Sequence, residues 1–304
     1  MRIAHLSDLH LISAEHIPAR RLLNKRFTGW VNLKLRRGQQ HLRMVAQAVA
    51  HEVAAHHVDH VVITGDLTNL ALEAEFELVR SFLEADLRLP PDQVSVVPGN
   101  HDAYTGGAHR SRRFQCYLGE YITSDLPGAS GVPGIGRFPY VRLRGPTAII
   151  GLSSALPQLP LVAAGQLGKP QTMALHALLA HEEVSRRLPI ILQHHPWHPV
   201  GSAAKSALEG LRDAAGELAV LAQLDRGMLL HGHLHRRMHR TIPTARGHID
   251  AICSTSASLL HDDLDRVGGF NLYDVADDGA LTAVTALRWE RDRERLVPAD
   301  VPRL

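Results

Sequence analysis

Five short apolar runs in this 304-residue chain break off into residues carrying oxygen or imidazole donors, and that recurrence limits the fold more than any other feature. They read RIAHLSDLH, ending in Asp8 and His10; HVVITGD, ending in Asp66; QVSVVPGNHD, ending in Asn100, His101 and Asp102; PIILQHH, ending in His194 and His195; and GMLLHGHLH, with His231, His233 and His235. Short apolar runs bounded by Gly, Pro or Asp read as buried strands. In α/β proteins the carboxyl ends of such strands converge on one crevice, so donors spread from residue 8 to residue 235 can share one site. The glycines before Asp66, Asn100 and His233 are expected to permit sharp turns that aim the next side chain back across the strand ends.

The donor set is carboxylate and amide oxygen with imidazole nitrogen. It suits borderline divalent cations such as Mn, Fe, Zn, Co or Ni better than Ca or Mg alone. Two cysteines, Cys116 and Cys253, cannot form a disulfide framework, their lack of CxxC spacing excludes a thiolate zinc site, and a reducing, cytoplasmic compartment is the default reading. Asp66, alone in its loop with two oxygens, is the natural bridge between two cations. A pair held about 3.5–4 Å apart activates a shared hydroxide and clamps phosphoryl oxygens during in-line displacement.

Taken in order, Asp8-Leu9-His10, Gly65-Asp66, Gly99-Asn100-His101-Asp102, His194 and Gly232-His233-Leu234-His235 resemble the five blocks of the calcineurin-like metallophosphoesterase superfamily, over about three-quarters of the chain. The resemblance implies an α/β (α+β) metallophosphoesterase-type β-sandwich of two mixed sheets flanked by helices. It also implies two divalent metal ions, Mn, Fe or Zn. The first would take Asp8, His10, Asp66 and His235, and the second Asp66, Asn100, His194 and His233. His101 resembles the general acid or transition-state stabiliser at the leaving-group oxygen, and Asp102 the carboxylate that orients it. His194 is favoured over His195 because the family's lone histidine is commonly followed by a small residue or histidine and then proline. His195 then lines the substrate pocket. Pro196-Trp197 departs from the two prolines that relatives often carry.

The implied activity is hydrolysis of a phosphoester, first a small phosphodiester such as a cyclic nucleotide, by a metal-bridging hydroxide. The alternative is a phosphomonoesterase or pyrophosphatase acting on a lipid or nucleotide precursor. A non-catalytic scaffold of the same fold is the reading from a different class, and the presence of every block argues against it. A net charge of +2 and the lack of an aromatic-interleaved basic groove leave a small-molecule phosphoester, and no specific nucleic acid, as the expected partner. The oligomeric state stays open.

The chain is read as one domain over 1–304, with a peripheral charged tail at 290–304. Periodicity predicts strands at 2–7, 60–64, 93–97, 138–143, 147–152 and 189–193, and helices at 39–58, 71–85, 109–121, 171–187 and 213–224. The last third, with strands at 227–230, 236–241, 247–253, 268–275 and 281–289, is expected to be antiparallel. Of the 21 histidines, His41, His51, His56, His57 and His60 lie on or beside the first long helix and read as a solvated face, while His5 reads as packed in its strand. The loops at 12–38, 103–115, 153–170 and 197–212 are expected to shape the leaving-group pocket. Within 12–38, the basic segment 19–37 places Leu23, Phe27, Trp30 and Val31 at helical spacing among seven positive charges. It reads as a packed surface helix, a substrate-facing lid, or a peripheral membrane contact.

Overall fold

The computed structural model describes residues 1–13, 26 and 40–304. Its strands are β1 (Arg2–Leu6), β2 (His60–Thr64), β3 (Val94–Val97), β4 (Tyr140–Arg144), β5 (Thr147–Gly151), β6 (Leu188–Leu192), β7 (Arg226–His231), β8 (Met238–Pro243), β9 (His248–Cys253), β10 (Gly269–Val275), β11 (Leu281–Glu290) and β12 (Arg295–Ala299). They build two six-stranded sheets, β12-β11-β10-β1-β2-β3 and β4-β5-β6-β7-β9-β8. Both are mixed and helices flank them, which is the sandwich expected. The segment 19–37 lies outside the described residues except for Arg26.

The central strands are apolar along almost their whole length because both of their faces are covered. Alternate residues part company, as a pleated strand requires. Ile149, Ile190, Met228 and Leu230 join Ile3 and Val62 in the core between the sheets, whereas Ile150, Ile191 and Leu229 pack with Leu175 and Leu178 of the helix Lys169–Ala180. Parallel register then fixes where the strands end. His5 lies opposite Val62, Val62 opposite Ser95, and Leu192 opposite Leu230. The carboxyl ends of β1, β2 and β3 therefore share one rim of their sheet and those of β6 and β7 one rim of theirs, each carrying one of the polar blocks, and Asp66 Oδ2 and His194 Nε2, 3.3 Å apart, join the two.

Several elements differ from expectation for local reasons. The first long helix begins at Arg43, because Gln40 and His41 are drawn into backbone pairing with residues 258–260. The segment 109–121 breaks into Gly106–Arg110, Arg113–Tyr117 and a 3-10 turn at Gly119–Ile122, with Arg112 left-handed at φ 48° between the first two. The stretch 171–187 breaks at His181, which is extended and caps Glu182–Ser185 with its ring. The last third is not wholly antiparallel, since β7 pairs in parallel with both β6 and β9. β9 buries Ile249, Ala251, Ile252 and Cys253 and takes the inner position. β8 exposes Thr241 and Pro243 and takes the edge. Residues 295–299 add a further edge strand along β11.

One buried acid beneath the rim has a measurable consequence. Glu217, on the helix Ala214–Leu221, accepts a hydrogen bond from Gln193 Nε2 at 3.2 Å, while its Oε1 has no partner among the described residues. Burial pushes its carboxyl from 4.5 up to about 8. The folded chain thus holds a proton that the unfolded chain releases near 4.5. The contribution of this one group to stability is full below the lower value and falls as pH rises through the interval, by about 1.4 kcal/mol per pH unit. Glu217→Gln should raise the thermal midpoint above wild type at about pH 9 and change it little at about pH 5. Equal shifts at both would contradict a buried proton.

Candidate metal centre

The polar blocks converge through an unusual backbone. Asp8, His10, Asp66, His233 and His235 all have left-handed φ, between 44° and 69°. Each such non-glycine residue costs about 1–2 kcal/mol, and residues so strained cluster where function demands it. Here interstrand bonds hold the turns: Asp8 N–H donates to Gly65 O at 2.9 Å and His10 N–H to Asp66 O at 3.0 Å. The alternation lets residues i and i+2 face the rim together while Leu9 between them is fully buried. Of the glycines expected to turn the chain, only Gly65 has positive φ, at 87°. Gly232 serves close approach instead, since a Cβ there would lie 1.8 Å from Ser7 Oγ and 2.5 Å from Asp8 Oδ2.

Asp66 sits at the middle of the cluster. Its Oδ1 accepts the backbone N–H of His101 at 2.8 Å, and its Oδ2 lies 3.3 Å from His194 Nε2 and 3.9 Å from His10 Nε2. Asp8 Oδ2 accepts from Ser7 Oγ at 2.6 Å and from the His233 N–H at 3.1 Å, leaving Oδ1 3.1 Å from His235 Nε2. His194 donates Nδ1–H to Thr64 O at 2.7 Å, which turns Nε2 inward to 3.2 Å from His233 Nδ1. His10 Nε2 and His235 Nε2 are 3.3 Å apart. Asn100 Oδ1 is buried with no hydrogen-bond partner among the described residues.

This arrangement fits a pair of divalent cations. Imidazole nitrogens face one another and two carboxylates at separations that one proton cannot satisfy, a buried amide oxygen has no other partner, and the backbone carbonyl on His194 Nδ1 sets the tautomer a ligand needs. The charges point the same way. Burial alone would raise the Asp66 carboxyl, yet the His194 and His101 imidazoles hold it well below the usual range. Burial likewise opposes ionisation of His194, and Asp66 overcomes it and lifts the imidazole to about 9.

His101 is buried beside His10, with ring centroids 5.1 Å apart, and its other face stacks on Tyr104. Its Nδ1 lies 2.7 Å from the Asn69 carbonyl, while Asn69 Nδ2 donates to His10 O at 2.8 Å. Asn69, which carried no motif signal beyond its place three residues after Asp66, thus ties the first block to the third. Asp102 was expected to orient His101. Its carboxylate instead accepts from the backbone N–H groups of Leu67, Thr68 and Gly99 and from Thr68 Oγ1. It staples the second block to the third, and the Asn69 carbonyl takes the orienting place.

His195 also departs from expectation. It is fully buried, with Nδ1 2.8 Å from Ser154 Oγ and Nε2 2.9 Å from Ala163 O, and its ring packs against His233. Both nitrogens are committed, so among the described residues it supports His233 from behind. His5 is packed as expected, between Thr64 Oγ1 and Tyr273 Oη. His60 is buried against Ser95 Oγ and is no part of a solvated face. His41 is likewise buried, 4.5 Å from His10 between ring centroids. Two of the loops expected to shape the leaving-group pocket, represented by Ala103, His109, Ser153 and Leu156, wall a cavity of about 430 Å³ that reaches Asp102. A larger depression of about 920 Å³ around Arg80 and Arg137 includes none of the donor residues.

The model of the calcineurin-like phosphoesterase family matches residues 1–237, a span that contains all five blocks. Among solved structures, a dimetal phosphatase from Danio rerio is 14% identical, with 99% of this chain and 98% of that chain covered at a TM-score of 0.59. A purple acid phosphatase from yellow lupin (Lupinus luteus) seeds is 11% identical with a TM-score of 0.58; 99% of this chain aligns to 53% of that one. At such identities the likeness is one of fold. No curated protein matches by sequence.

Proposed function

This chain belongs to the calcineurin-like phosphoesterase family of metal-dependent phosphoester hydrolases, and from that premise we propose that it hydrolyses a small phosphodiester, cyclic nucleotides included. Asp8, His10, Asp66 and His235 would hold one divalent cation, and Asp66, Asn100, His194 and His233 the other, with Mn, Fe or Zn as the candidate metals. Bound cations would supply Lewis acidity that polarises the phosphoryl group and makes water a nucleophile at neutral pH.

The chain's own residues do the rest. Asp66 presents Oδ2 to both halves of the centre while the His101 backbone fixes its Oδ1. Asn100 offers an oxygen that no other group claims. His101, held at Nδ1 by the Asn69 carbonyl, can carry a proton on Nε2 and deliver it to the departing ester oxygen. After that transfer the neutral ring keeps its proton on Nδ1, the tautomer that the carbonyl already favours.

The observation favouring a diester over a monoester is the disposition of nearby arginines. Arg26 donates to the Leu70 and Ala71 carbonyls, Arg113 pairs with Glu73, and Arg236 pairs with Asp263. A monoester dianion asks for more positive charge than a diester monoanion; among the described residues these three guanidiniums are engaged by other groups, while Arg110 and Arg112 line the cavity that reaches Asp102. The test is turnover by protein loaded with Mn or Zn on bis(p-nitrophenyl) phosphate, p-nitrophenyl phosphate, cyclic nucleotides and nucleoside diphosphates. Faster diester cleavage supports the proposal. A preference for monoester or pyrophosphate bonds would replace it with the alternative.

A further inference from the structure

We propose that His41 is an additional imidazole ligand of the first cation, beside Asp8, His10, Asp66 and His235. The inference rests on the metal-centre reading above and extends it to a residue outside the five blocks. His41 precedes the helix Arg43–Ala55, and it is only 7% exposed. One donor atom each from His10, His41 and His235 fall within 4.8 Å of one another. The His41 ring centroid is 4.5 Å from that of His10 and 5.6 Å from that of His235, with interplanar angles of 63° and 89°. The pairs assigned to a common cation, His10 with His235 and His194 with His233, are 5.2 and 5.0 Å apart. His41 therefore lies at a spacing from His10 and His235 comparable to that between those paired rings.

The ring is also built in as a ligand would be. Nδ1 lies 2.8 Å from Ser258 Oγ and 3.4 Å from Ser256 Oγ, so coordination would fall to Nε2. Ser256 in turn donates to the Asp8 carbonyl at 2.6 Å. A hydrogen bond at the far nitrogen is the usual means of fixing the tautomer and orientation of a ligating histidine. The backbone is pinned too, with Leu42 N–H on Ser258 O at 2.9 Å and Leu260 N–H on Gln40 O at 2.7 Å. One consequence is asymmetry: the first cation would see three imidazoles and two carboxylates, the second two imidazoles, one carboxylate and an amide. The nitrogen-richer site should hold borderline cations more firmly against Mg.

The test is titration of metal-free full-length protein with Co(II), followed by stoichiometry and visible absorption, on wild type, His41→Asn and His41→Gln. Asparagine can keep the contact to Ser258 while removing Nε2, and glutamine places a weaker donor near the Nε2 position. Wild type should take two ions. In His41→Asn one of the two should bind about tenfold or more weakly, with a stronger visible band as its coordination number falls, and His41→Gln should recover part of the loss. A folded His41→Asn protein with two wild-type affinities and an unchanged spectrum overturns the proposal and leaves the metal centre standing. Failure of wild type to bind cobalt overturns both.

Discussion

Asp66→Ala is expected to reduce turnover by more than about 10³-fold, beyond the scale of losing one oriented charge-stabilising group, and to leave the protein unable to hold two cations. Both halves of the centre lean on this one side chain. Its Oδ2 is the oxygen shared between His194 Nε2 at 3.3 Å and His10 Nε2 at 3.9 Å, and its Oδ1 anchors the loop that carries Asn100 and His101. Alanine removes the shared anion and that anchor together. The fold itself should survive, because the apolar core between the sheets is built without Asp66. The measurement is metal content after dialysis against excess Mn or Zn, alongside circular dichroism and diesterase rate. Two retained ions with near-wild-type turnover would remove Asp66 from its bridging position.

The parts of this architecture legible in the sequence are those in which chemistry follows immediately on a strand. Asp8, Asp66, Asn100, His194 and His233 each come within a few residues of an apolar run, so strand pattern and donor type together located them. What pattern could not carry is partnership across the chain. His41 sits where helical periodicity predicts a solvated face, and the residues that turn it inward, Ser256 and Ser258, lie more than 200 positions away. The family's residue pattern after its lone histidine puts His195 on the substrate pocket, yet Ser154 and the Ala163 carbonyl, from a loop without a motif, decide where its nitrogens go. The family resemblance implies that Asp102 orients His101, whereas its oxygens are taken by three backbone N–H groups and one hydroxyl. The parallel pairing of β7 with β9 escaped for the same reason: alternation predicts a strand and is silent about its neighbour.

His101→Ala should separate catalysis from metal binding. Asp66 is positioned by the backbone N–H of residue 101, which alanine retains, so metal content should stay at the wild-type level. What disappears is the imidazole fixed by the Asn69 carbonyl and packed between His10 and Tyr104. If that ring delivers the proton to the departing oxygen, its loss should cost about 10²–10⁴-fold on a substrate whose leaving group is an alkoxide, as in a cyclic nucleotide. A nitrophenolate leaves without help, so bis(p-nitrophenyl) phosphate should be cleaved at a rate much closer to wild type. The comparison matters more than either number. Equal losses on both substrates would mean that the ring stabilises charge on the phosphoryl group without donating a proton, and undiminished cleavage of the cyclic nucleotide would remove it from the reaction.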